Sequence, residues 1–221
     1  MRKTEFANGE FYHIYNRGVD KRNIFVNEFD YERFLLCILL LNDEKEGWLD
    51  VWRNLPNKEK EVINFRRLNL RKPLVEFIAY CCNPNHYHFI IRQLENRGIE
   101  KFMHRLGTAY TMFFNKKYKR SGALFQGRFK SIHIDSNDYL LYLSAYVNKN
   151  NFIHGLEDLN KLHSSFDEYK RARENNQKIN ICNISPVIDQ FRNKEDWMSF
   201  MQANADYLKG KKEEAKYRLE D

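Results

Sequence analysis

Residues 79–91 read Ala-Tyr-Cys-Cys-Asn-Pro-Asn-His-Tyr-His-Phe-Ile-Ile. Two strand-forming runs flank the Asn-Pro-Asn tripeptide at 83–85, whose residue types favour tight turns, so the stretch predicts a β-hairpin. Side chains two apart in a strand point to the same face. His86 and His88 therefore project side by side, while Tyr87 faces the other way. Two neighbouring imidazoles on one face form half of a site for a divalent metal ion.

Outward from this hairpin, strand and helix patterns alternate along the chain. The predicted strands cover 11–15, 74–82, 86–93 and 124–134, and the predicted helices cover 30–41, 99–114 and 135–147. Asp135 or Ser136 is expected to cap the last of these helices. The order strand, helix, strand, strand, helix, strand is typical of an α+β, ferredoxin-like antiparallel sheet with helices on one face. We expect a core domain over residues 8–155 with a charged, variable insert at about 43–73, followed by a helical C-terminal extension over residues 156–221.

Composition restricts the class of protein. The 221 residues are 43% hydrophobic, which is enough for a core. The N-terminus lacks the apolar segment of a signal peptide. The longest apolar run, Phe34 to Leu41, is shorter than the roughly 20 residues that span a bilayer, so we expect a cytoplasmic protein with no membrane partner. The four cysteines form no C-x-x-C pair and are expected to be structural.

Positive charge is concentrated in one stretch. Residues 101–134 contain no acidic residue and eight basic ones, in a chain with a net charge of +7. The basic residues are Lys101, Arg105, Lys116, Lys117, Lys119, Arg120, Arg128 and Lys130. Aromatic residues are interleaved with them, a pattern that suits a phosphate backbone and stacked bases. The alternative is an ordinary solvated face of a basic protein.

A third metal ligand is available from the last core helix. Tyr142, Tyr146 and Asn150 are spaced by four, so they share one helical face if the helix persists as far as Asn150. The amide oxygen of Asn150 would complete a site begun by the two histidines and place Tyr146 one turn away, where its phenol suits attack on phosphorus. Because imidazoles bind metal in the neutral form, activity is expected to fall as they protonate near pH 6.5.

Each of these features also has a purely structural interpretation. A His-x-His pair on a strand is often cross-strand packing or polar surface, and tyrosines at helical spacing often line a core. Asparagines at 148, 150 and 151 would also be typical of a helix end. Four other histidines, at 13, 104, 133 and 154, follow no ligand spacing and are predicted to be structural.

Four short motifs, in this order, resemble those of a known family. They are Tyr12-His13-Ile14-Tyr15-Asn16-Arg17-Gly18, Asn83-Pro84-Asn85-His86-Tyr87-His88-Phe89, Gln126-Gly127-Arg128-Phe129-Lys130 and Tyr146-Val147-Asn148-Lys149-Asn150. Together they resemble HUH-type single-tyrosine transposases of the IS200-like and REP-associated kind. The chain departs from the family pattern at Asn151, where proline is usual, and at Asn83, where methionine or leucine is common.

The resemblance implies metal-dependent cleavage and rejoining of single-stranded DNA beside a hairpin. By motif match, His86, His88 and Asn150 would bind Mg²⁺ (or Mn²⁺), and Tyr146 would form a 5′-phosphotyrosine link. Gln126 would then face the DNA, together with the basic residues Arg105, Lys116, Lys117, Lys119, Arg120, Arg128 and Lys130. Family members act either as homodimers or as monomers, so both assemblies stay open.

Three further alternatives follow from the residues. Tyr142 lies one turn before Tyr146 and is the alternative nucleophile. A DNA-binding protein that kept the fold and lost catalysis would keep the basic residues without needing the tyrosine. An unrelated metal hydrolase would need carboxylate ligands near the histidines, and no Asp or Glu occurs between Glu76 and Glu95.

Overall fold

The computed structural model describes residues 5–56, 72–156, 163–171 and 180–217. The predicted insert at 43–73 lies only partly within them, since residues 57–71 fall outside the described part. Its described portion contains one short helix, Trp48–Asn54.

Four strands form one antiparallel sheet. They are β1 (Phe11–Arg17), β2 (Val75–Asn83), β3 (His86–Gln93) and β4 (Lys130–Ile134). The order across the sheet is β2-β3-β1-β4, with every neighbouring pair antiparallel. This is the arrangement that the sequence predicts, and the hairpin between β2 and β3 turns at Pro84 and Asn85.

Helices connect and follow the strands. They are α1 (Glu28–Leu41), α2 (Trp48–Asn54), α3 (Gly98–Lys117), α4 (Asn137–Asn148), α5 (Asn150–Ile153), α6 (Phe166–Lys170), α7 (Ser185–Ile188) and α8 (Lys194–Tyr217). Ser136 caps α4, because its side chain accepts a hydrogen bond from the backbone N–H of Tyr139. Within the described residues, no helix combines the length and apolar character needed to cross a membrane.

The two faces of the sheet carry different sets of helices. The ferredoxin-like helices α1 and α3 share one face, as predicted, and pack there on Tyr12, Phe89 and Ile91. The opposite face is covered by α4 together with α8, through residues such as Ile90 and Trp197. The sequence pattern did not indicate that the C-terminal extension would cover this second face.

The fourth strand is shorter than the predicted 124–134. Its ladder with β1 begins at Lys130, and the preceding residues form a loop in which Gly127 has a φ of 72°. That left-handed conformation is incompatible with a continuous strand and is readily adopted by glycine. Phe125 nevertheless makes an isolated bridge to Gly18.

The C-terminal extension also covers the edge of β2. Isolated bridges join Cys81 to Ser164 and Phe77 to Cys182, so backbone from the extension satisfies groups that an exposed edge strand would leave unpaired. All four cysteines are buried and free, in agreement with the predicted structural role.

A buried carboxylate joins α1 to the end of α3. The side chain of Asp30 is fully buried and lies 2.6 Å from the Lys117 ammonium. It also accepts hydrogen bonds from the Tyr118 hydroxyl (2.7 Å) and the Val26 backbone N–H (2.8 Å). Burial alone would raise the pKa of Asp30, but the bonds from Lys117, Tyr118 and Val26 outweigh it and hold the pKa below its ordinary value of 3.8. Lys117 is therefore a structural cation.

We expect Lys117→Ala to lower the free energy of unfolding by about 1.5–3 kcal/mol, because it removes a charged hydrogen bond from a buried carboxylate. The matched variant Lys116→Ala removes an exposed neighbour and should change it by less than about 0.5 kcal/mol. Urea denaturation at pH 7 measures both.

The difference between the two variants should also depend on pH. Because the folded-state pKa of Asp30 is lowered, its stabilising effect is present above pH 3.8 and is lost as the pH falls through the folded-state value. The loss in free energy of unfolding caused by Lys117→Ala should therefore be smaller at acidic pH than at pH 7. Equal stability of the two variants at pH 7 would contradict the structural role of Lys117.

Candidate active site

The paired imidazoles lie where the hairpin register places them. His86 is the cross-strand partner of Asn83, and His88 is the partner of Cys81. The rings of His86 and His88 are 5.2 Å apart on one face, while Tyr87 belongs to the core on the opposite face. The structure therefore brings the two histidines together as the strand period predicts.

Each of these histidines has its Nδ1 atom engaged by a neighbour. His86 Nδ1 donates to the Asn85 side-chain oxygen, 2.6 Å away. His88 Nδ1 lies 2.9 Å from Nε2 of His13, a buried residue on β1. Such partners fix the orientation of the rings. Nε2 is the metal-binding atom of His86, and it is also that of His88 in the tautomer whose Nδ1 donates to His13.

A triangle of polar atoms forms at Nε2 of His86. The Asn150 side-chain oxygen lies 3.3 Å from this nitrogen. The Asn83 amide nitrogen donates to both, at 2.9 Å from His86 Nε2 and 2.5 Å from the Asn150 oxygen. Asn83 and Asn150 are both fully buried.

Tyr146 lies beside the histidines. Its ring is 5.3 Å from that of His88 and nearly perpendicular to it, and it lines the same cavity as His86 and His88. Tyr142, the alternative nucleophile, is not among the described residues that line this cavity. Burial raises the pKa of Tyr146 above its ordinary value of 10.0, an effect that a hydrogen bond with Asn150 opposes.

The cavity has a volume of about 600 Å³ and a positively charged rim. Arg17, Lys21 and Lys130 lie on the rim, and Arg17 donates to the Gln126 side-chain oxygen. None of its described lining residues is acidic. The site is therefore suited to an anionic ligand.

The C-terminal extension contacts a residue that lines this cavity. His154 lines the cavity, and its ring is 5.3 Å from that of His86. The ammonium of Lys212, on α8, lies 2.7 Å from Nδ1 of His154. Helix α8 thus contributes a positive charge behind the histidines.

The residues predicted to bind DNA do not form one surface. Three are held by partners within the chain: Arg105 pairs with Glu46, Lys117 with Asp30, and Arg120 with Asn115. These three contribute to the fold, whatever else they contact.

The other five are exposed and lie in three places. Gln126 and Lys130 line the cavity beside Tyr146. Arg128 lines a second cavity, of about 730 Å³, between α3 and the loop before β4. Lys116 and Lys119 lie at the end of α3, away from the lining of both cavities.

The donor set fits a divalent cation. Two acceptors, His86 Nε2 and the Asn150 oxygen, lie 3.3 Å apart and share the Asn83 amide as a donor. An imidazole nitrogen and a carboxamide oxygen at this separation can also bind one cation. In the described part of the chain, no three His, Cys, Asp or Glu side chains cluster to hold a metal, so a site here depends on carboxamide oxygen. His86, His88 and Asn150 are the residues that would hold the ion.

The protonation state of the histidines also suits metal binding. Burial lowers the pKa of His86 below 6.5 and, with the neighbouring histidines, lowers that of His88 further. Both rings are neutral at pH 7 and have a lone pair available. The sequence alone placed the loss of activity near pH 6.5, and these shifts move the expected loss to lower pH.

Some site residues were missed in the sequence. His13 and His154 were predicted to be structural, yet His13 contacts His88 and His154 lines the cavity. His13 was detectable in principle, because the ferredoxin-like order places β1 beside β3 and the strand period puts residue 13 on the histidine face. His154 had no such signal, since its position depends on where the chain turns after α4.

The chain is similar to one known family and to one solved structure. The family model described as "Transposase IS200 like" matches residues 56–150. One solved structure, titled "Structure of the REP associates tyrosine transposase bound to a REP hairpin", has 16% sequence identity and a TM-score of 0.47, over 78% of this chain and 86% of that chain. No curated protein matches the sequence.

Proposed function

Residues 56–150 match the family model described as "Transposase IS200 like", and from this match and the site geometry we propose that the protein cleaves and rejoins single-stranded DNA near hairpins through a 5′-phosphotyrosine intermediate. The observation that supports it best is the position of Tyr146, in one cavity with His86 and His88. A phenol beside a cation site is the arrangement that attack on a phosphodiester requires.

The proposed step exchanges one phosphate ester for another. The Tyr146 oxygen forms a bond to phosphorus and loses its proton, while the bond from phosphorus to the 3′ oxygen breaks and that oxygen gains a proton. The products are a 5′-phosphotyrosine and a 3′-hydroxyl. Because the ester energy is kept in the covalent link, rejoining by the reverse step needs no nucleoside triphosphate.

The cation of this proposal is Mg²⁺ or Mn²⁺, held by His86, His88 and Asn150. It would polarise the phosphate and offset its negative charge. Carboxamide oxygen is a hard ligand that favours Mg²⁺, whereas two imidazoles also suit Mn²⁺. His13 and Asn85 would keep the two rings oriented, through the Nδ1 contacts at 2.9 and 2.6 Å.

The rim of the cavity is suited to hold the DNA strand. Arg17, Lys21 and Lys130 line it, together with Gln126. An acid-free lining favours the phosphate backbone, and Tyr15 offers a ring at the same opening. A strand that runs along this rim would bring a phosphate to Tyr146.

The alternative of a catalytically silent DNA-binding protein is less well supported. Such a protein has no need of a phenol beside a buried pair of histidines, and here the rings of Tyr146 and His88 are in contact. The tyrosine and histidines come from one chain, so the proposed reaction requires no tyrosine from a second copy. A homodimer and the cytoplasmic location stay predictions.

We expect a covalent DNA–protein adduct when the protein is mixed with Mg²⁺ and labelled single-stranded DNA that carries a hairpin with randomised flanks. The randomised flanks allow for the unidentified target sequence. A denaturing protein gel detects the adduct, which should be absent with chelator and in Tyr146→Phe.

Tyr142→Phe is the matched control and should keep the adduct, because Tyr142 lies outside the cavity lining. An adduct that persists in Tyr146→Phe and disappears in Tyr142→Phe would reassign the nucleophile. Absence of adduct in the unmodified protein, with DNA binding retained, would favour the silent binding protein.

We expect Lys130→Ala to weaken single-stranded DNA binding more than Lys116→Ala, because Lys130 lies on the rim of the cavity and Lys116 does not. Loss of one phosphate contact should reduce the slope of log affinity against log salt by about 0.7. Fluorescence anisotropy between low and moderate salt gives both slopes. The opposite ranking would place the DNA at the end of α3 instead.

A further inference from the structure

Asn83 is positioned at the candidate metal site by the sheet itself. It is the last residue of β2 and pairs directly with His86 across the hairpin. A β-bulge between Phe77 and Ala79 shifts the alternation of β2, so that Cys81 belongs to the same core as α4, while Cys82 belongs to the other core. Asn83, two residues beyond Cys81, therefore faces His86 and Asn150.

The Asn83 amide N–H₂ group is the electropositive partner of two acceptors in the structure. His86 Nδ1 carries its proton toward Asn85, so Nε2 has a lone pair. This lone pair and the Asn150 oxygen are both acceptors, only 3.3 Å apart. The amide N–H groups of Asn83 point at both of them, at 2.9 and 2.5 Å.

We propose that Asn83 is a further ligand of the cation, through its amide oxygen, alongside His86, His88 and Asn150. The proposal rests on the metal site of the proposed function and extends it. The family pattern has methionine or leucine at this position, so this ligand is a property of the present chain.

The edges of the triangle match the spacing of ligands around one small cation. In an octahedral Mg²⁺ site with bonds of 2.0–2.1 Å, adjacent ligand atoms lie about 3 Å apart. The three edges here measure 2.9, 2.5 and 3.3 Å. The terminal atoms of Asn83, His86 and Asn150 therefore already lie at the separations of neighbouring ligands.

The amide of Asn83 can present either end to the triangle. Its oxygen and nitrogen ends have nearly the same shape, so a half-turn of the carboxamide places oxygen where nitrogen now lies. Its present oxygen lies 3.8 Å from Cys81 Sγ. After the half-turn the N–H₂ group would face this sulfur, a weak acceptor whose own hydrogen points to Asn151.

The consequence is a harder and more complete donor set. Two nitrogens and two carboxamide oxygens favour Mg²⁺ or Mn²⁺ more than a set with one oxygen does. Four protein ligands leave two of six octahedral positions for other oxygen atoms.

Mn²⁺ titration, followed by the electron paramagnetic resonance of the free ion, tests the inference without relying on activity. We expect Asn83→Leu to weaken Mn²⁺ binding at least about tenfold, since it removes one ligand, and Asn83→Asp to tighten it about tenfold, since a carboxylate replaces a neutral amide. Gln93→Leu is the matched control, because Gln93 is a buried carboxamide at the opposite end of β3 from His86. The Mn²⁺ affinity of this variant should stay close to that of the unmodified protein.

The direction of the change in Mn²⁺ affinity decides whether Asn83 is a ligand. Tighter or unchanged Mn²⁺ binding in Asn83→Leu would show that the amide competes with the cation or plays no part, and would overturn the inference. If Asn83→Leu does not fold, Asn83→Asp decides, since weaker or unchanged binding there also overturns it. Absence of Mn²⁺ binding in the unmodified protein would do the same.

The adduct assay separates this inference from the proposed function. Mn²⁺ binding that depends on Asn83, without any adduct, would keep the ligand and reject the strand-cleaving reaction. Adduct formation together with Mn²⁺ binding that does not depend on Asn83 would keep the reaction and reject the ligand.

Discussion

The register of the β2–β3 hairpin is the constraint on which the candidate site depends. Because side chains alternate with a period of two, a slip of one residue would move His86 and His88 into the apolar core. The two-residue turn at Pro84 and Asn85 holds the register. It also pairs Asn83 with His86 across the strands, so one local turn places Asn83, His86 and His88 on the same face of the sheet.

The position of Tyr146 depends on how α4 is attached to β2. Ser165 Oγ donates to the Asn148 side-chain oxygen at 2.6 Å and accepts from the Tyr80 N–H at 2.9 Å. Cys81 Sγ donates to the Asn151 side-chain oxygen at 2.8 Å. These buried contacts hold the end of the helix against the strand. They explain why Asn151 is accommodated where the family pattern has proline, since its amide bonds to the sheet.

The sequence predicted what local rules determine, and missed what tertiary contacts determine. Strand alternation placed His86 and His88 on one face, and four-residue spacing placed Tyr146 near Asn150. The bulge beside Phe77 leaves no sequence signal, so the change of alternation along β2 was not predictable. The pairing of Lys117 with Asp30 was not predictable, because the two residues are 87 positions apart along the chain. Helix α8 covers the second face of the sheet through contacts between residues far apart in the chain, so this feature was not predictable from local sequence either.

The charges of the cavity link the two ligands of the proposed function. The proposed metal ligands are neutral, and the rim carries Arg17, Lys21 and Lys130. None of the described residues that line the cavity is acidic. A cation alone would meet positive charge there, and a phosphate alone would meet the lone pairs of His86 and Asn150. Each ligand therefore lowers the electrostatic cost of binding the other, and by linkage the coupling is reciprocal. A site built from neutral donors would in this way hold its cation most strongly when the DNA is in place.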